Sequence, residues 1–199
     1  MFEFIEYIGV IAFAISGFLV AIKHNLDLLG VFVSSFLTAL GGGVIRDILV
    51  DKTPYSFTHN TPALIVLIVI TILIISKPYK KSQIEDSFLY ILSDSLGLAS
   101  FSISGGLIAI NSNFNLTGVL ATSFIAAVGG GITRDIIINE VPQIFKTSFY
   151  GTVSILIALM LYIFNSLNLL NIYTITLSLL FGTSLRVLAY YKSWNLPKV

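Results

Sequence analysis

Arg46-Asp47 and Arg134-Asp135 each follow a run of three glycines, Gly41-Gly42-Gly43 and Gly129-Gly130-Gly131, at identical spacing. A permanent cation beside an anion, next to an exposed stretch of backbone, is chemistry suited to holding or repelling small ions. Glycine costs about 1 kcal/mol in a helix interior relative to alanine, so three in a row predict an unwinding point. The freed N–H and C=O groups would then face protein or a water-filled cavity. A first half-helix would end in carbonyls that favour a cation, and a second would begin with N–H groups. Asp47 and Asp135 would fall in the first turn of those second halves, where a carboxylate is favoured. Arg46 and Arg134 would be disfavoured there and need partners. Adjacent positions on a helix do not face each other, so neither arginine is expected to pair with its own aspartate. A partner from the other copy is expected instead, or Asp94, whose counterpart at the equivalent position is Glu6. The competing reading is that the glycines only permit close packing and that the arginines snorkel to an interface. Because an ionisable residue within an apolar span is by default functional, and the pattern occurs twice, the path reading is preferred.

These residues must be positioned by membrane helices. Hydrophobic residues make up 56% of the 199-residue chain and charged residues 11%, against roughly 25% charge in soluble domains. That deficit excludes a water-soluble globule and a disordered chain. A net charge of +1 gives no general attraction to nucleic acid. With no cysteine and two histidines, His24 and His59, neither a disulfide nor a metal cluster is expected, and no cofactor is implied. Seven apolar segments are long enough to span: 3–22, 27–50, 60–76, 88–110, 114–138, 147–165 and 170–190. The runs lack the alternation of barrel strands, so the expected fold is an all-α integral membrane domain spanning 1–199. The first segment carries Glu3 and Glu6 rather than a basic leader, so it is not expected to be a cleaved signal.

Seven spans place the termini on opposite sides. One side collects Lys23, Lys77, Lys80, Lys81, Lys146, Lys192 and Lys198; the other holds Lys52. The C-terminus and the 77–87 linker are therefore expected in the cytoplasm and the N-terminus outside.

Residues 9–54 align without a gap on 97–142, an offset of 88, with 22 identities in 46 positions. Among them are Gly9 on Gly97, Ile15-Ser16-Gly17 on Ile103-Ser104-Gly105, Ser35-Phe36 on Ser123-Phe124, both glycine–arginine–aspartate elements, and Pro54 on Pro142. Repeat one (1–76) and repeat two (88–165) would each hold three spans. An odd number makes the second copy enter from the opposite side, an inverted repeat, with the helix at 170–190 as an extra C-terminal element. Ser16-Gly17 and Ser104-Gly105 read as packing positions. Tyr55-Ser56-Phe57-Thr58-His59 reads as an interfacial turn. No phosphate-binding loop, zinc-protease or serine-hydrolase motif is present, so an enzyme is not expected.

The doubled Gly-Gly-Gly-x-x-Arg-Asp element in a chain of this length resembles the prokaryotic branch of the trimeric intracellular cation channel (TRIC) family, also catalogued as putative glycine transporters. The resemblance covers essentially the whole chain, with 41–54 and 129–142 its specific part. It implies a homotrimer in a prokaryotic plasma membrane, in contact with membrane lipid. It also implies a potassium-permeable pore inside each subunit, lined by spans two and five kinked at the glycines. Gly41, Gly42, Gly43, Arg46, Asp47, Gly129, Gly130, Gly131, Arg134 and Asp135 would be its pore elements. The lysine-containing lipid signature of the animal members is absent. A secondary transporter of a small zwitterion such as glycine is the alternative, since a helix N-terminus with arginine could hold a substrate carboxylate.

Overall fold

A computed structural model describes residues 2–77, 87–146 and 149–194. Most of the linker expected at 77–87 lies outside the described residues. The described chain is helical: α1 (Phe2–Lys23), α2 (Leu28–Leu49), α3 (Tyr55–Thr58), α4 (Thr61–Ser76), α5 (Phe88–Asn111), α6 (Leu116–Ile137), α7 (Gln143–Lys146), α8 (Tyr150–Ser166) and α9 (Ile172–Tyr191). Five helices, α1, α2, α5, α6 and α9, are long and apolar enough to cross a bilayer; α4 and α8 are apolar but shorter. The expected interfacial turn at 55–59 contains the single-turn helix α3, and a matching turn, α7, precedes α8.

The caps show how local sequence sets these boundaries. Asp27 accepts a hydrogen bond from Gly30 N at the start of α2, and Asn115 accepts one from Gly118 N at the start of α6. Short polar side chains at these positions satisfy otherwise orphaned N–H groups. Asn171 and Thr174 form a reciprocal capping box at the start of α9.

The core is built from α1 against α5 and α2 against α6, with α4 and α8 flanking and α9 lying on α5 and α8. Small residues set these crossings. A Cβ placed on Gly9 would lie 2.9–3.0 Å from Ser100 and Phe101, and one on Gly97 would collide with Phe13. The Phe13 and Phe101 rings stack between these points, 5.3 Å apart. Gly17 leaves room for Ser34, Ser35 and Thr38, and Gly105 for Thr122, Ser123 and Ala126. The Gly9–Phe101 and Gly97–Phe13 contacts are counterparts 88 positions apart, as are those of Gly17 and Gly105.

The glycine triplets correct the sequence expectation. Helices α2 and α6 run without a break through Gly41–Gly43 and Gly129–Gly131, and no glycine among the described residues has positive φ. A Cβ on Gly42 would collide with the Ala126 carbonyl oxygen, and one on Gly130 with the Thr38 carbonyl oxygen. One on Gly41 would lie 3.3 Å from Gly130 Cα. The triplets are therefore where the two helices cross antiparallel, backbone against backbone. Close approach between helices offsets the helix-propensity cost of glycine, as in other small-residue helix crossings.

Candidate functional site

Because α2 continues to Leu49, Arg46 and Asp47 occupy its last two turns rather than the first turn of a second half-helix; Arg134 and Asp135 sit the same way in α6. The C-terminal end of a helix favours a cation, so the dipole supports the arginines and opposes the aspartates, the reverse of the sequence expectation. The two crossings place the elements in opposite directions. Beyond the glycine contact, α2 carries Arg46 towards the start of α1, and α6 carries Arg134 towards the start of α5.

Arg46 is fully buried. Its Nε donates to Asp47 Oδ1 at 2.8 Å, one terminal nitrogen lies 3.0 Å from Glu6 Oε1, and the other donates to Ser104 Oγ at 2.8 Å. The expectation that adjacent Arg and Asp would not pair is overturned in both copies. Arg134 Nε donates to Asp135 Oδ1 at 2.8 Å. The rule for neighbouring positions concerns side chains leaving the helix in different directions. Buried arginine is long enough to fold back along the helix, and burial leaves its N–H groups no water to turn to.

Both aspartates have a second duty. Asp47 Oδ2 accepts from Tyr55 N at 2.9 Å, and Asp135 Oδ2 accepts from Gln143 N at 3.0 Å. These donors are the first residues of α3 and α7, each just after Pro54 or Pro142. Each aspartate thus joins an arginine to the short helix that follows its own, and the paired arginine offsets its unfavourable place at a helix C-terminus. Tyr55 is held also by Tyr7, hydroxyl to hydroxyl at 2.9 Å; that hydrogen bond, with some burial, pushes its phenol up to about 12.

Glu6 and Asp94, named from sequence as charge partners, are both at the clusters. Glu6 contacts Arg46 directly. Asp94 reaches Arg134 through Ser16: Arg134 donates to Ser16 Oγ at 3.3 Å, and Ser16 donates to Asp94 Oδ1 at 3.2 Å. The cross-copy partners are therefore serines. Arg46 of the first copy bonds Ser104 of the second, and Arg134 of the second bonds Ser16 of the first. Sequence reading assigned both serines to packing; their only signal was that they repeat in register within Ile-Ser-Gly.

Three further residues were missed. Tyr150, at the start of α8, places its hydroxyl 3.4 Å from Asp94 Oδ1. Tyr90 is buried one helical turn before Asp94. Arg186 in α9 is buried, with its guanidinium carbon 4.9 Å from the Tyr150 ring centre and 5.9 Å from that of Tyr190. None has a counterpart in the first copy, so the repeat could not flag them.

Recesses approach the clusters from opposite ends. One, of about 230 Å³ with its open mouth, is lined by Glu6, Gly43, Asp47, Ser56, Pro62 and Phe101 among others. Its counterpart, about 180 Å³, is lined by Gly131, Arg134, Asp135, Gln143 and Tyr150. A larger cleft of about 350 Å³ reaches Arg134 and Asp135 past Lys23, His24 and Glu140. At its rim His24 Nε2 stands 3.8 Å from a Glu140 carboxylate oxygen. The Gly42–Ala126 and Gly130–Thr38 contacts lie between the two ends. No group of three or more His, Cys, Asp or Glu suited to a metal ion occurs among the described residues. The arrangement suits passage or binding of a small ion against fixed charges.

A family model described as "Glycine transporter" matches residues 3–78 and 91–166, one match on each side of the linker. Among curated relatives, the chain is 32% identical to the membrane protein YvgT of Bacillus subtilis, covering 98% of this chain and 95% of that protein. It is 38% identical to a Deinococcus radiodurans membrane protein, with 75% and 70% covered. It is 35% identical to the inner membrane protein YadS of Escherichia coli, with 76% and 73% covered. Among solved structures, it superposes on a TRIC cation channel studied for the basis of its conductance, with TM-score 0.87, 33% identity, and 100% of this chain and 97% of that one covered. A prokaryotic TRIC channel in 0.5 M KCl gives TM-score 0.87 at 29% identity, with 98% of each chain covered. The Rhodobacter sphaeroides TRIC orthologue shares the fold, with TM-score 0.87 at 21% identity, covering 97% of this chain and 98% of that one.

Proposed function

The chain belongs to the prokaryotic branch of the TRIC family, and from that premise we propose that it is a monovalent cation channel, permeable to potassium, with one pore inside each subunit of a homotrimer. The observation that carries the proposal is the pair of recesses that end, from opposite sides of the α2–α6 crossing, on buried arginine–carboxylate clusters. The recesses are the two vestibules, the glycine crossing is the constriction between them, and Arg46 and Arg134 are its electrostatic barrier. In this reading the seven apolar helices all span, the two copies are an inverted repeat, and α9 is added to the second. The Lys asymmetry supports an N-terminus and Glu6 vestibule outside the cell and a C-terminus in the cytoplasm.

A buried guanidinium repels a passing cation by about 4 kcal/mol at 4 Å and an effective dielectric constant of 20. Asp47 and Asp135, in contact with the arginines, cancel part of that repulsion. Conduction therefore requires a change in how arginine and carboxylate pair, and the pairing is the gate. Lining by unbroken helices also explains why packing and permeation meet at the same glycines: movement of α2 against α6 would open the constriction without unwinding either.

The deciding experiment is a planar-bilayer recording of the purified protein in potassium chloride. Discrete unitary currents that reverse with the potassium gradient are expected. Saturable counterflow of labelled glycine without unitary currents would overturn the channel and favour a carrier.

A further inference from the structure

The two clusters are built alike but are not charged alike. At the first, one arginine, Arg46, faces two carboxylates, Glu6 and Asp47. At the second, Arg134 and Arg186 accompany Asp94 and Asp135. The first has one carboxylate more than its cations; the second is balanced. The hydrogen bonding differs in step with the charge. Asp94 is met by Ser16 and by the Tyr150 hydroxyl. The position equivalent to Tyr150 in the first copy is Pro62, which has no side-chain donor. Glu6 is correspondingly met at Oε1 by Arg46, while its Oε2 is buried and has no hydrogen-bond partner among the described residues. Glu6 is also among the residues that line the 230 Å³ recess, with Asp47, Ser56 and Pro62.

A buried carboxylate oxygen without a donor is costly, and an ion or a proton must compensate it. A proton would leave Glu6 neutral and without a bound ion, a state in which no cation density appears beside it. We infer that the recess at Glu6 is a binding site for one partly dehydrated monovalent cation, held by the Glu6 carboxylate in the copy that lacks the tyrosine hydroxyl. One surplus carboxylate neutralises one positive charge. A divalent ion would require more carboxylates and a six- to eight-oxygen cage for calcium, and the cluster of acidic groups it would need is absent among the described residues. The channel would then concentrate cations at one mouth only. The inference relies on the channel reading for the identity of the ion as cargo, and not for the existence of the site.

The test uses the full chain, crystallised with thallium(I) as the probe for a monovalent cation. An anomalous peak within coordination distance of Glu6 Oε2 is expected, and it should vanish in Glu6→Gln, which keeps the shape and an oxygen for Arg46. Elution volume and melting temperature matching the parent would establish that the variant is folded. A second measurement records potassium current in low salt from each side. Flow entering from the Glu6 vestibule should fall about tenfold in Glu6→Gln, the scale expected when a focusing charge is lost, with flow from the other side changed less. A thallium peak without any unitary current keeps the site and overturns the channel reading. Unitary currents with no peak at Glu6, or a peak unchanged in Glu6→Gln, overturn the site. An ordered water alone at Oε2 also overturns it.

Discussion

Alanine at Gly42 and alanine at Gly43 should move stability in opposite directions, though the two positions are adjacent in one helix. Each substitution gains about 0.5–1 kcal/mol of helix propensity. At Gly43 the new methyl would stand 3.5 Å from Glu6 Oε1 and from Phe101 and 3.8 Å from Arg46, which is ordinary contact. At Gly42 it would collide with the backbone carbonyl of Ala126, which cannot turn aside as a side chain could. Helices α2 and α6 would have to separate, losing contacts along the crossing. Overpacking of this kind costs about 1–3 kcal/mol, and backbone-against-backbone contact belongs at the upper end. The net expectation is a loss of about 2 kcal/mol for Gly42→Ala and a gain of about 0.5 kcal/mol for Gly43→Ala. In a domain of this size 1 kcal/mol corresponds to about 2–4 °C in Tm, so the two variants should differ by about 5–10 °C. Thermal unfolding followed by size-exclusion chromatography in one detergent would measure this. The reasoning is refuted if both variants are stabilised or both shift alike. Uniform stabilisation is what an unwound glycine triplet would give, since any alanine would then restore helix.

The other expectations concern the charges and the topology. Ser104→Ala removes an acceptor from the buried Arg46 guanidinium and should cost about 1–3 kcal/mol; an unchanged melting temperature would show that the bridge between copies contributes nothing. Arg46→Ala, in protein that keeps its oligomeric size, should raise unitary conductance or open probability for potassium, because the barrier loses a charge. Currents identical to the parent in amplitude, gating and voltage dependence would make Arg46 an anchor and remove it from the gate. A tag after Val199 should react with cytoplasmic reagents and a tag before Met1 should not; both ends labelled from the cytoplasm would sink the seven-span arrangement and the inverted repeat.

Much of this architecture is written in the sequence because it is written twice. The offset of 88 marks Arg46 and Arg134, Asp47 and Asp135, the glycines and both serines, and the apolar runs place the helices within a few residues of their observed ends. What the sequence could not convey is which physical demand each repeated residue meets. Helix propensity taken alone makes Gly41–Gly43 a break. The structure puts Gly42 against Ala126 and Gly130 against Thr38, partners more than 80 positions away in the chain. The value of close contact outweighs the propensity, and nothing local reveals it. Likewise the geometry of a bare helix separates Arg46 from Asp47, whereas burial turns the guanidinium back onto it. Features without a copy were silent altogether: Arg186 and Tyr150 read as ordinary members of apolar helices until α9 and α8 are packed on α5.

The serine bridges bear on how the two ends of the molecule could act together. Arg46 leaves α2 and ends on α5; Arg134 leaves α6 and ends on α1, so each arginine crosses from its own copy into the other. The same α1 carries Glu6 near its start and Ser16 near its middle, and α5 carries Asp94 and Ser104 at the matching places. A shift of α1 along its axis would therefore change the distance from Glu6 to Arg46 at one cluster and from Ser16 to Arg134 at the other. Neither arginine can exchange partners without disturbing a helix that also serves its counterpart. Coupling of this sort needs a discrete rearrangement of packed elements, and the α1–α5 crossing is closely packed at Gly9, Phe13, Gly97 and Phe101. On the proposed channel reading, a shift of α1 that opened the Glu6 end would also strain the Ser16–Arg134 bridge at the other, which favours two arginines that release together.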